Sequence, residues 1–121
     1  MAEKTLFVEI RDNVFSRIFR ADIRELGGRV VSYFKDGEVE VDIVLTDRFS
    51  VVLKEIQARK TRKTLIVLCY PESSQLWIAT NRQFAESVSR LLPGRFFAMP
   101  HTEVKNFLAS LFVKEALPQP V

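Results

Sequence analysis

The sequence predicts an α/β fold: a three-layer sandwich around a central, mostly parallel sheet of four to five strands. Three observations carry this. Runs rich in β-branched and aromatic residues alternate with runs whose apolar residues recur every three or four positions, as strand–helix–strand units covered on both faces require. A glycine pair, Gly27-Gly28, closes the first helical run where a left-handed residue ends a helix. The 121 residues are 47% hydrophobic and include ten Phe, enough to fill one core and not two.

Leu6 to Ile10 holds strand formers after a polar start and reads as the first strand. Asp12 or Asn13 can cap the helix that follows, in which Val14, Phe15, Ile18, Phe19, Ile23 and Leu26 form one apolar face. Arg29 to Phe34 reads as the second strand, and Lys35-Asp36-Gly37 as a turn. Val39, Val41 and Ile43 alternate with Glu38, Glu40 and Asp42 before Val44-Leu45, a third strand half exposed at its start and buried at its end. Asp47 can cap a helix over Arg48 to Ala58, with Phe49, Val52, Leu53 and Ile56 on one face.

After the basic segment Arg59-Lys60-Thr61-Arg62-Lys63, Thr64 to Tyr70 is a strand. Pro71 to Ser74 is a turn and Gln75 to Ala79 another strand, so the two strands could pair as a hairpin. Asn81 then caps a helix carrying Phe84, Val88, Leu91 and Leu92, which Pro93-Gly94 ends. Phe96 to Met99 is the last strand. Thr102 caps the final helix, with Val104, Phe107, Leu108, Leu111 and Phe112 apolar. Phe112 and Val113 belong to the core by default, or else to a contact surface.

Composition excludes several classes. The longest apolar run, Leu65 to Tyr70, is far short of the roughly 18–20 residues that span a bilayer. Met1 to Thr5 has none of the features of a secretory leader, so an intracellular location is expected. The single cysteine, Cys69, has no partner for an internal disulfide and reads as a small buried hydrophobe. The net charge of +3 permits contact with nucleic acid or an acidic protein and requires neither.

The stretch Ile23-Arg24-Glu25-Leu26-Gly27-Gly28-Arg29-Val30, followed by Val41-Asp42-Ile43-Val44-Leu45-Thr46-Asp47, resembles the front half of a BRCT domain. Phe96 to Phe112 resembles that family's last strand and helix, without its usual Trp; Trp77 lies elsewhere. The Trp-less helix is more similar to the divergent BRCT domain in the activator subunit of the kinase that fires replication origins. The resemblance implies one BRCT-like domain over 5–115, an insertion at 49–80 and a flexible tail at 116–121. It implies a nuclear module that recruits a protein partner in DNA replication, repair or chromosome maintenance, with no catalysis, cofactor, membrane or small-molecule substrate. Arg11-Asp12-Asn13 stands where many members carry a hydroxyl residue and Gly for phosphoserine, so that pocket is not carried over.

The polar signal is the basic cluster Lys54, Arg59, Lys60, Arg62 and Lys63. It reads as a solvated loop, as a nuclear import signal, or as a phosphate-contacting surface for DNA, the alternative function. With no aromatic residue among these cations, a single-strand stacking platform is disfavoured. A metal-dependent nuclease would use Asp42, Glu55 and position 57, but position 57 is Gln and the stretch looks helical. Leu45-Thr46-Asp47 also resembles the phospho-acceptor strand of receiver domains. That family needs an acidic pair after strand one, for which Asp12 after Arg11 is a poor substitute, and strands two and three stand too close for a helix between them. His101, after Pro100 at a strand end, reads as a loop or cap residue, and Ser73-Ser74 as a turn pair. Gly27-Gly28 ends a helix and so cradles no phosphate.

Overall fold

A computed structural model describes residues 4–31, 41–59, 64–71 and 75–116. The strands are β1 (Thr5–Glu9), β2 (Arg29–Val31), β3 (Ile43–Thr46), β4 (Leu65–Tyr70) and β5 (Phe96–Pro100). The helices are α1 (Asn13–Glu25), α2 (Phe49–Arg59), α3 (Gln75–Leu91) and α4 (His101–Ala116). The five strands form one sheet in the order β2-β1-β3-β4-β5. Every pairing is parallel, with Leu6 opposite Ile43, Ile43 opposite Leu65 and Ile66 opposite Phe96. The expected α/β sandwich with a five-stranded sheet is therefore present.

Both central strands are buried along almost their whole length, as parallel strands covered on two faces must be. Leu6, Val8, Leu45, Val67 and Cys69 meet Phe19 and Ile23 of α1 and Val104 and Leu108 of α4 on one face. Phe7, Val44, Ile66 and Leu68 meet Val52 of α2 and Val88 of α3 on the other. The helices thus pack two to a face.

The first reversal follows from its glycines. Gly28 N–H donates to the Ile23 carbonyl at 2.8 Å and Gly27 N–H to that of Arg24 at 3.0 Å, the paired bonds of a Schellman ending. Gly27 holds φ +87°, where a side chain is strained. Gly28 is required for a different reason. A Cβ there would stand 2.7 Å from Ile23 Cγ2 and 2.8 Å from Phe112 Cζ.

Three local expectations are corrected. Gln75 to Ala79 is the start of α3 and forms no hairpin strand. The alternation of Leu76 and Ile78 imitated a strand, but Trp77 stands in helical register with Phe84, Val88 and Leu91. Because β4 and β5 run parallel, a crossover helix must join them. Asn81 consequently lies inside α3, not at its start, and α4 opens at His101, one residue before Thr102. β2 ends at Val31 and β3 begins at Ile43. The remainder of the expected second and third strands, the Lys35–Gly37 turn, Ser73-Ser74 and residues 117–121 lie outside the described residues. Residues 49–59 and 65–70, which the BRCT resemblance sets apart as an insertion, supply α2 and the strand β4 between β3 and β5.

Candidate functional site at the carboxyl edge of the sheet

In a doubly wound sheet the chain leaves neighbouring strands toward opposite faces at one point, and the loops there part to leave a crevice. Here that point lies between β1, which leads to α1, and β3, which leads to α2. The crevice is therefore bounded by Ile10, Arg11 and Asp12 on one side and by Asp47 and Arg48 on the other.

The two acids are both engaged by backbone. Asp47 accepts the Arg11 N–H at both carboxylate oxygens, each at 3.0 Å, and so ties the end of β3 to the end of β1. Asp12 Oδ1 accepts the N–H groups of Val14 at 2.9 Å and Phe15 at 3.1 Å, capping α1 as its sequence position suggests. Around them, Thr46 Oγ1 accepts the Arg48 N–H at 3.1 Å. The Arg48 guanidinium lies 3.6 Å from Glu9. Arg20 reaches from α1 to donate to the Val8 carbonyl at 3.1 Å and to Ser16 at 3.2 Å. Asp42, at the opposite edge of the sheet, accepts the Thr5 N–H at 2.7 Å.

His101 completes the edge. It is 6% exposed, and its ring lies 4.1 Å from that of Phe15 and 6.0 Å from that of Phe19. Burial lowers its pKa, while the charges of Asp47 and Asp12 oppose the shift. The neighbouring Cys69 donates to the Thr46 carbonyl at 3.5 Å. Burial, and after it the Asp47 charge, push its thiol up to about 12. Cys69 is thus a protonated core residue at neutral pH and not a nucleophile. Burial, then Glu103, raise the Tyr70 phenol.

Two hollows adjoin the edge. One, of about 250 Å³, lies between β1 and α2 among Phe7, Glu9, Arg48, Ser50, Lys54 and Glu55. The other is an open groove along β5 and α4, past Tyr70, Phe97, Met99, Glu103 and Phe107.

Two of the five basic residues singled out from the sequence are described. Lys54 is exposed on α2 beside the first hollow, and Arg59 is the last residue of that helix. Lys60, Arg62 and Lys63 lie outside the described residues. Glu55 is buried on α2 while Asp42 sits at the far edge, and among the described residues no three His, Cys, Asp or Glu side chains gather as a metal site. The Arg11–Asp47 clasp and the slot that holds His101 were missed. A fold of this class brings every strand's carboxyl end to one edge, so strand-end residues far apart in sequence were the signal.

No family model matches the chain, and no curated protein matches it. Among solved structures it is similar to the solution structure of a response regulator protein from Burkholderia multivorans. The TM-score is 0.56 at 17% identity, over 99% of this chain and 100% of that one. The likeness overturns the expected BRCT-type function. A nuclear recruiting module for DNA replication, repair or chromosome maintenance, with its DNA-binding and nuclease alternatives, gives way to a fold seen in a signalling protein. The chain has the doubly wound architecture of that response regulator.

Proposed function

We propose that this chain is a signalling domain on the response-regulator fold that acts by contact with a protein partner, with Asp47 serving as a structural clasp and not as a phosphoryl acceptor. The signalling part of the reading rests on the likeness to the response regulator, and the clasp rests on one observation: both Asp47 oxygens take the Arg11 N–H. A carboxylate that accepts a phosphoryl group needs an oxygen free to attack and a hard cation held by further oxygen ligands to offset the incoming charge. Ile10 and Arg11 follow β1 where the receiver pattern calls for an acidic pair, and Asp12 is engaged in capping α1. Removing Asp47 would loosen the join between two strands before it altered any chemistry.

Incubation with acetyl phosphate and Mg²⁺, followed by intact-mass measurement, is expected to leave the mass unchanged. A gain of one phosphoryl group that disappears in Asp47→Asn overturns the clasp reading. Proximity labelling in the native cell tests the other half. Recovery of signalling proteins is expected, and recovery of replication-fork components alone would count against it.

A further inference from the structure

We propose that the junction of α1 and α4 at His101 is a proton-operated latch: the uncharged imidazole holds the two helix starts together, and taking up a proton expels it and frees them. The proposal is independent of whether Asp47 takes a phosphoryl group.

The geometry is specific. His101 is the first residue of α4 and is almost fully buried. Its ring packs at 4.1 Å, tilted by 32°, on Phe15, which lies in the first turn of α1. Phe15 in turn contacts Phe19 at 5.6 Å. Among the described residues, His101 Nε2 makes no hydrogen bond although it is inaccessible to solvent. An imidazole with one buried nitrogen unsatisfied is tolerable while neutral. As a cation it would need a partner or water for a second N–H, and the slot as built supplies neither. A charge at the first residue of a helix also meets the positive end of the helix dipole.

The charged and titratable groups around the ring set the direction. From the start of α1 Asp12 faces it, and from the junction of β3 and α2 Asp47 does; both attract a proton. Tyr70 stands beside Pro100 in the β4–β5 register, and Glu103 lies on the same helix. The attraction of Asp12 and Asp47 acts on the ring in its slot and opposes expulsion, and burial is the larger effect.

The sign follows from linkage. The closed form holds His101 with a lowered pKa, whereas the open form has the ordinary value of 6.5. The open form therefore binds more protons. Its population is constant above that value and rises by up to about tenfold per pH unit below it, until the closed form also protonates.

Hydrogen exchange of the intact chain at pH 7.5, 6.5 and 5.5, corrected for the intrinsic exchange rate, tests this. Protection in residues 13–19 and 101–107 is expected to fall up to about fivefold between pH 6.5 and 5.5 while β1, β3 and β4 keep theirs. His101→Phe fills the slot with a ring that cannot titrate and is expected to abolish the pH dependence. If that variant fails to fold, His101→Gln serves the same comparison. An equal loss of protection in the variant, or a loss spread evenly over the sheet, overturns the latch.

Discussion

The α1–α4 face of the sheet packs rings against the strands: Phe15, Phe19, Phe107 and Phe112, with Phe97 tilted by 47° at 4.9 Å from Phe107. The α2–α3 face carries four rings as well, Phe7, Phe49, Phe84 and Phe96, beside Val44, Val52, Ile66, Leu68 and Val88; Phe49 and Phe84 meet edge to face at 4.5 Å. Both faces also hold buried polar groups. On the α1–α4 side His101 and Asp22 each hold one buried atom without a hydrogen bond among the described residues, and Lys105 approaches Asp22 at 3.8 Å, while Glu55 is buried on α2 of the other side. Branched aliphatic side chains fill the space beside a pleated sheet with little freedom to rearrange. Flat rings leave slots, and a flat polar ring can occupy one. What separates the faces is the setting of the polar group: His101 packs ring to ring against Phe15 and Phe19, whereas Glu55 lies beside the hollow between β1 and α2.

That contrast is open to attack, beginning with its largest effect. Phe19→Ala should cost about 3–5 kcal/mol, because a ring is removed from a filled core, whereas Val52→Ala on the other face should cost about 2 kcal/mol. Urea unfolding of both variants measures the difference, and equal costs would mean that the Phe19 site closes on the space its ring leaves. The α1–α4 face is also tight where its helices converge. Gly28→Ala should cost about 1–3 kcal/mol, since its Cβ would collide with Ile23 and Phe112. Gly27→Ala should cost about 1 kcal/mol, for positive φ alone, because the space around it is open. If Gly27→Ala proves the worse of the two, the proposed crowding is wrong.

At the carboxyl edge the effects are smaller. Asp47→Ala and Asp12→Ala should each cost about 1 kcal/mol by thermal or urea unfolding, the first through the strand clasp and the second through the helix cap. The smallest effect within the ordinary range of pH is at Cys69. Its folded-state pKa of about 12 exceeds the unfolded value of 9.0, so the stability it contributes is complete below pH 9 and declines as pH rises toward 12. Unfolding curves at pH 8 and pH 10 should differ in that sense for the native chain and by less for Cys69→Ala, in which the raised Tyr70 phenol still contributes. Ellman's reagent should label the thiol only on unfolding.

Much of this architecture was legible along the chain. The helical spacing from Val14 to Leu26, the glycine pair and the apolar run ending at Tyr70 each report local physics, and local physics is what a linear reading resolves. α3 was legible only from Phe84 onward, since its first turn also satisfies a two-residue period. The edge was harder. Asp47 was noticed as a possible helix cap, yet its partner is a backbone amide at Arg11, and no side-chain pattern announces such a bond. His101 was read as a loop residue because its aromatic neighbours, Phe15 and Phe19, come from the opposite end of the chain.

The clasp bears on how this protein can drift. Its donor is the main chain of residue 11, so the identity of the side chain there is immaterial to the bond. Lysine, serine or alanine would each preserve it, and only proline, which lacks the N–H, would sever it. Position 47 has no such latitude, because the acceptor is the carboxylate itself. In sequences descended from this one, then, a single interaction should leave an asymmetric trace: almost free substitution at one end and an acid retained at the other.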